Sequence, residues 1–230
     1  MRAFVVACAL FAIISLALGC DTSSADEAPD LQTAINAKLE VFRSVQEVLA
    51  KSNSAGRIYY RAICRPDEVK LNTFPQAIRF PSLVTSPTTN GDTLAQLREM
   101  LSGNGNVTIS KGRNKLVRIN VGEVPNGILR TRISSIEFTH DQRTDPDAAI
   151  SAVFLTKEVS EARRQLGVEP VLRVENRLSP GPYAKGPLLP IALKGLSIDE
   201  ILDVVAVTFN VTVVYGACAQ PQVFDIEIYP

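Results

Sequence analysis

The chain has 230 residues, enough for one large domain or two small ones with a buried core, and its 46% hydrophobic and 21% charged residues are ordinary for a globular protein. Lys+Arg and Asp+Glu both number 24, so the net charge is zero and the basic excess of a nucleic-acid binder is missing. With a single histidine, His140, the composition also argues against a zinc site, and no cofactor is expected.

The first 19 residues, "MRAFVVACALFAIISLALG", place Arg2 before an apolar run from Ala3 to Leu18 and are predicted to be an export signal. "ALGC" resembles the bacterial lipoprotein signal motif, which implies lipidation of Cys20 and a lipid anchor in the bacterial periplasm. Ordinary cleavage after Gly19 is the alternative. The polar stretch of residues 20–29 then reads as a flexible tether. Asp21 directly after the cysteine resembles the signal that retains lipoproteins in the inner membrane. Cys64 and Cys218 are the remaining candidate disulfide pair, and the sequence leaves open whether they are bonded.

The first module is placed at residues 30–140. Leu31, Ile35, Leu39, Phe42, Val45 and Leu49 recur on one face of Asp30–Ser52, an amphipathic helix. "RIYYRAIC" and "VKLNTF" read as a hairpin over Arg57–Phe74, and "FPSLV" (Phe80–Val84) as a short strand. "TLAQLREMLSGNGNVTISKG" (Thr93–Gly112) then recurs 104 positions later as "SIDEILDVVAVTFNVTVVYG" (Ser197–Gly216), without a gap. Thr93 with Gln96, and Ser197 with Glu200, match the capping-box pattern. Leu94, Leu97 and Leu101 fall on Ile198, Ile201 and Val205, one helical stripe in each copy.

A hairpin follows each helix. "VTI" and "VTV" begin strands, Gly112 and Gly216 mark the turn, and "LVRINV" (Leu116–Val121) and "VFDIEI" (Val223–Ile228) return. Each copy carries an Asn-Val-Thr sequon, at Asn106 and Asn210. Their coincidence marks a shared helix-to-strand corner rather than glycosylation, because asparagine tolerates the left-handed conformation of helix exits. The basic run Ser110–Arg118 straddles the turn and reads as solvated.

Between the copies, "ILRTRISSIEF" (Ile128–Phe138) alternates as a strand. Residues 145–230 form the second module. It opens on one helix, with Asp145 as N-cap, Pro146 at N1 and Gly167 past the end. "EPVLRVEN" follows as a strand, "LSPGPYAKGPLLP" (Leu178–Pro190) as a loop, and "LPIAL" (Leu189–Leu193) as the strand entering the repeated helix. The predicted fold class is α+β: two related modules, each ending in a β-α-β-β unit, with helices packed on small mixed sheets.

"LKGLSIDEIL" within Ile191–Ile228 resembles the short N-terminal domains of secretins and TonB-dependent receptors, with Lys194-Gly195-Leu196-Ser197 at the family's step into the helix. The resemblance implies a periplasmic protein-interaction module acting in an envelope machine, with an envelope protein as partner and self-association as a further mode. No GxSxG, P-loop or HExxH occurs, so no enzyme is expected. Two rivals stay open: a cell-wall hydrolase using Asp199, Glu200 and Asp203, and a small-ligand or peptide carrier. His140 beside Asp141 reads as a solvated loop residue. Arg118 and Asn120 of the first copy align with Asp225 and Glu227 of the second, and the four are predicted to form an interaction face on the polar sides of the last strands.

Overall fold

The computed structural model describes residues 31–62, 92–102, 106–122, 127–170, 186–218 and 223–229. The export signal, Cys20, Asp21, the tether, Cys64 and the strands expected at residues 69–74 and 80–84 lie outside the described residues. Helix α1 (Leu31–Lys51) leads into β1 (Ala55–Ala62). Helix α2 (Thr93–Met100) is followed by the hairpin β2 (Val107–Lys111) and β3 (Leu116–Val121). A 3-10 turn (Ile128–Arg130) and β4 (Arg132–Glu137) precede helices α3 (His140–Thr144), α4 (Pro146–Phe154) and α5 (Lys157–Leu166). The short β5 (Glu169–Pro170), then β6 (Ala192–Ser197), helix α6 (Ile198–Phe209), β7 (Thr212–Cys218) and β8 (Val223–Tyr229) complete the chain.

The fold is mixed α+β. Hairpins from both repeats join one six-stranded sheet of order β2-β3-β1-β7-β8-β5. β1 is the seam. It pairs in parallel with β3 on one side and β7 on the other, Tyr59 lying between Asn120 and Tyr215. Both edges of β1 are therefore occupied from Gly56 to Tyr60, and the return strand of the hairpin expected after it lies outside the described residues. Its sequence, AGRIYYRA, lacks the alternation of a half-exposed strand because both faces are covered.

On one face, Ile58, Tyr60, Leu97, Ile119 and Val214 pack with Val41, Phe42, Val45 and Leu49 of α1. On the other, Tyr59, Leu116, Val213, Tyr215 and Phe224 pack with Ile198, Ile201, Val205 and Phe209 of α6 and with α4. The predicted stripes of α2 and α6 are all buried. Burial of this kind contributes about 25 cal/mol per Å² of apolar surface removed from water, and holds the layers together.

Several local expectations need correction. α2 is capped by Asp92, whose carboxylate accepts from the Ala95 amide 2.9 Å away, so Thr93 is already helical and the first capping box is not used. In the second copy Ser197 and Glu200 do form the box. Asn210 adopts the left-handed conformation at the end of α6 (φ 52°), whereas Asn106 does not and sits directly before β2. Gly216 is not at a turn but inside β7, where a Cβ would lie 2.4 Å from Tyr60 Cζ. The single helix expected after Asp145 is two, broken at Leu155 and Thr156, with Gly167 closing the second at φ 62°. The stretch expected as one strand from Ile128 begins as the 3-10 turn. β6 pairs with β4 in a separate two-stranded sheet, so the strand entering α6 does not share a sheet with the hairpin that leaves it.

Candidate functional site

Strand alternation puts Ala55, Arg57 and Tyr59 of β1 on the α6 side, and register places Arg118 beside Arg57 and Asn120 beside Tyr59 on β3. A buried arginine is costly unless paired. Arg57, only 5% exposed, meets Asp203 at 2.5 Å and Asp199 at 3.0 Å through Nη1. Asp199 and Asp203 are i and i+4 on α6, one turn apart on the same face, so the helix presents both to one guanidinium. The second oxygen of Asp203 accepts from Arg118 Nη2. That bond raises the Arg118 pKa against the opposing effect of partial burial and keeps the side chain charged. The Arg57 guanidinium also sits over the Tyr59 ring, 4.2 Å from its centroid.

Above this network lies a cleft of about 520 Å³ lined by Arg57, Tyr59, Asn120, Leu129, Arg130, Arg132, Ser197, Asp199 and Glu200. Its walls come from β1 and β3, the 3-10 turn, the start of β4 and the N-terminus of α6. Arg132 Nη1 donates to Gly195 O at 2.7 Å, and the Ile198 amide donates to Thr131 O at 3.0 Å, which locks the rim to the helix start. Glu200 is turned back on its own cap, accepting from the Ser197 amide at 2.7 Å and its hydroxyl at 2.9 Å. These bonds, the backbone one first, hold its carboxyl below the usual range.

Two polar atoms of residues that line the cleft have no hydrogen-bond partner among the described residues, Arg57 Nε and Asn120 Oδ1. Burial, chiefly, pushes the Tyr59 phenol well above its ordinary pKa; the Arg57 charge opposes the rise, while Asp199, by its charge and by a hydrogen bond from the hydroxyl, and Asp203 add to it. The hydroxyl therefore stays protonated near neutral pH.

The four residues expected on one interaction face are divided. Arg118 and Asn120 lie on the α6 side. Asp225 and Glu227 lie on the α1 side, since Phe224, Ile226 and Ile228 between them pack with α6. Asp225 is buried, and Glu227 accepts from the Tyr229 hydroxyl. The acidic counterpart of Arg118 is Asp203 on the helix, not a residue of β8. His140 is the exposed first residue of α3, which Thr139 caps.

Cys218 is disulfide-bonded, and it stands opposite Ala62, two positions before Cys64. Among the described residues no group of His, Cys, Asp and Glu is arranged to hold a metal, and no helix is long and apolar enough to cross a membrane.

Arg57 and Tyr59 are the functional candidates that sequence reading misses. The available signal was an arginine inside the buried run Ala55–Tyr60, opposite two acids spaced i, i+4. The chain matches no protein-family model, and no curated protein or solved structure is significantly similar to it.

Proposed function

We propose that this chain is an exported bacterial envelope lipoprotein, anchored through Cys20, that works as a non-catalytic protein-interaction or scaffolding module. An accessory role in a secretion or TonB-type machine follows from the resemblance of Ile191–Ile228 to the short N-terminal domains of such systems. The observation that carries the non-catalytic part is the commitment of the α6 carboxylates. Asp203 bridges two arginines, Asp199 pairs with the buried Arg57, and Glu200 caps its own helix. A glycosidase needs one carboxyl free to protonate a leaving group and a second free to act as base or nucleophile, and these acids are already engaged by fixed donors. The rim strand β2, with Thr108, Ser110 and Lys111 exposed, is where a partner strand would add to the sheet. A small-ligand carrier is the second reading, favoured by the cleft between β1, β3 and the start of α6.

Purified protein incubated with cell-wall sacculi tests the first reading. The expected result is no release of soluble fragments, together with photo-crosslinks in cells from positions 108 and 110, but not from Ser160 on α5, to one discrete envelope protein. Fragment release abolished by Asp199→Asn would replace it with the hydrolase.

A further inference from the structure

Strand β2 closes one end of the six-stranded sheet. β3 lies along one of its edges, and no strand among the described residues lies along the other. The Gly122 amide donates to Asn106 O at 2.9 Å and the Gly112 amide to Leu116 O at 2.7 Å, which fixes the phase of the hairpin. Backbone groups in an antiparallel ladder point alternately toward and away from the neighbour, so Thr108 and Ser110 direct theirs at β3. Val107, Ile109 and Lys111 direct their amides and carbonyls to the open edge. On the α1 side of the sheet Val107 and Ile109 join the core, while Thr108 and Ser110 are exposed on the other side.

The other short or marginal strands carry obstacles to further pairing. β5 is two residues long and ends on Pro170, which has no amide hydrogen. In β4 the Ser134 amide is taken by Glu158 of α5 at 3.1 Å. In β6 Gly195 breaks the extended run at φ 66°, and its carbonyl accepts from Arg132. β2 has no such device: its five residues include no proline and no positive φ, and its register with β3 is unbroken.

The open edge is also complementary to itself. About a two-fold axis at Ile109, an antiparallel second copy sets Ile109 against its own equivalent, Val107 against Lys111 and Thr108 against Ser110. This register overlaps the whole strand, and the outward groups of Val107, Ile109 and Lys111 meet in about six ladder hydrogen bonds. The apolar row of the α1 side continues across the axis, hydroxyl residues face each other on the opposite side, and no like charges are opposed.

We propose that β2 is a self-docking edge through which two copies of this chain join their sheets, antiparallel and centred on Ile109. This rests on the reading of the chain as a protein-interaction module with β2 as its docking strand, and it names a second copy as the partner. A single strand edge gives less contact than the roughly 1,200–2,000 Å² of a stable interface, so the association depends on concentration.

The test is disulfide trapping between full-length copies carrying Thr108→Cys and Ser110→Cys, expressed together and oxidised mildly. Opposed residues that share no hydrogen bonds lie about 4.5 Å apart at Cα, within disulfide reach. The expected product has twice the chain mass, is lost on reduction, and is several-fold more abundant from the mixture than from either variant alone. Ser160→Cys, exposed on α5, is expected to give none. Sedimentation over a concentration series is expected to show the native chain passing from monomer to dimer. The double variant Thr108→Lys with Ser110→Lys, which opposes like charges across the axis, is expected to stay monomeric with an unchanged thermal midpoint. Equal trapping from the mixture, the single variants and Ser160→Cys overturns the inference, and so does a native chain that is monomeric throughout. Photo-crosslinks from positions 108 and 110 to a different protein would overturn only the second copy as occupant, whereas none from either position would overturn the docking strand as well.

Discussion

Arg57 on β1 and Asp203 on α6 are 146 positions apart in sequence and 2.5 Å apart in space, the strand supplied by the first half of the chain and the helix by the second. Because Asp203 also accepts from Arg118, one carboxylate ties a helix to two adjacent parallel strands. Asp203→Ala strands the buried Arg57 with only Asp199 to offset it, and is expected to lower unfolding stability by about 3–5 kcal/mol. Arg118→Ala removes a side chain that is 35% exposed and is expected to cost about 0–1 kcal/mol. Urea unfolding of both variants checks the ordering, and equal losses would contradict it.

The two helix starts give a second contrast. Ser197→Ala is expected to cost about 1 kcal/mol, because the hydroxyl caps α6. At the first copy the same cost belongs to Asp92→Ala, while Thr93→Ala, inside α2, changes stability by a few tenths of a kcal/mol at most. Thermal midpoints of the three variants decide between the cap observed and the one the repeat suggests.

Gly216 lies in β7 against Tyr60, and an added Cβ would approach Tyr60 Cζ to 2.4 Å and its Oη to 2.5 Å. Gly216→Ala is expected to destabilise by about 1–3 kcal/mol through overpacking. Gly112, where the closest atom is Leu116 Cβ at 3.1 Å, tolerates alanine better. Urea midpoints of the two variants test this, and matching losses would place Gly216 at an open turn after all.

The repeat itself was legible because local signals are short-range: a hydroxyl and a carboxylate three residues apart, an apolar stripe, a β-branched run. They located α6, β3 and β8 nearly to the residue. What they could not convey was which strands meet. Nothing local to RIYYRA tells that its neighbours are β3 and β7, both parallel, and parallel neighbours are set by contacts distant in sequence. The same blindness hid the site. The pairing of Asp199 and Asp203 was hidden because their partner, Arg57, sits on a strand that reads as a hairpin arm. Asp225 was assigned to a polar face by alternation alone, yet α1 covers that face too.

Burial raises the pKa of Tyr59 and of Tyr215 above the ordinary 10.0. Folded values above the unfolded one mean that the native state holds these protons more tightly. Their contribution to stability is thus fully present below about pH 10 and is lost as the pH rises through the folded values. Stability measured by urea between pH 8 and pH 11.5 is expected to stay level with respect to these groups and then fall, with a shallower fall in Tyr59→Phe. An unchanged slope in that variant would show that Tyr59 ionises freely in the fold.

Reducing agent is expected to open the bond at Cys218 and to lower stability by about 2–4 kcal/mol. In Cys64→Ser, Cys218 is expected to become reactive to a maleimide without reductant, since Cys64 lies two residues past its strand partner Ala62. A Cys218 that stays blocked in that variant would assign the bond to a different cysteine.

The central claim is that β1 and Asp203 fuse the two repeats into one cooperative unit, with the cleft at their junction. Amide hydrogen exchange of the β2–β3 and β7–β8 hairpins tests it most directly. The account predicts that both hairpins exchange with the same opening free energy in the native protein, and that Asp203→Ala lets β2–β3 open first. A native β2–β3 hairpin that already exchanges independently, well before β7–β8, would contradict it.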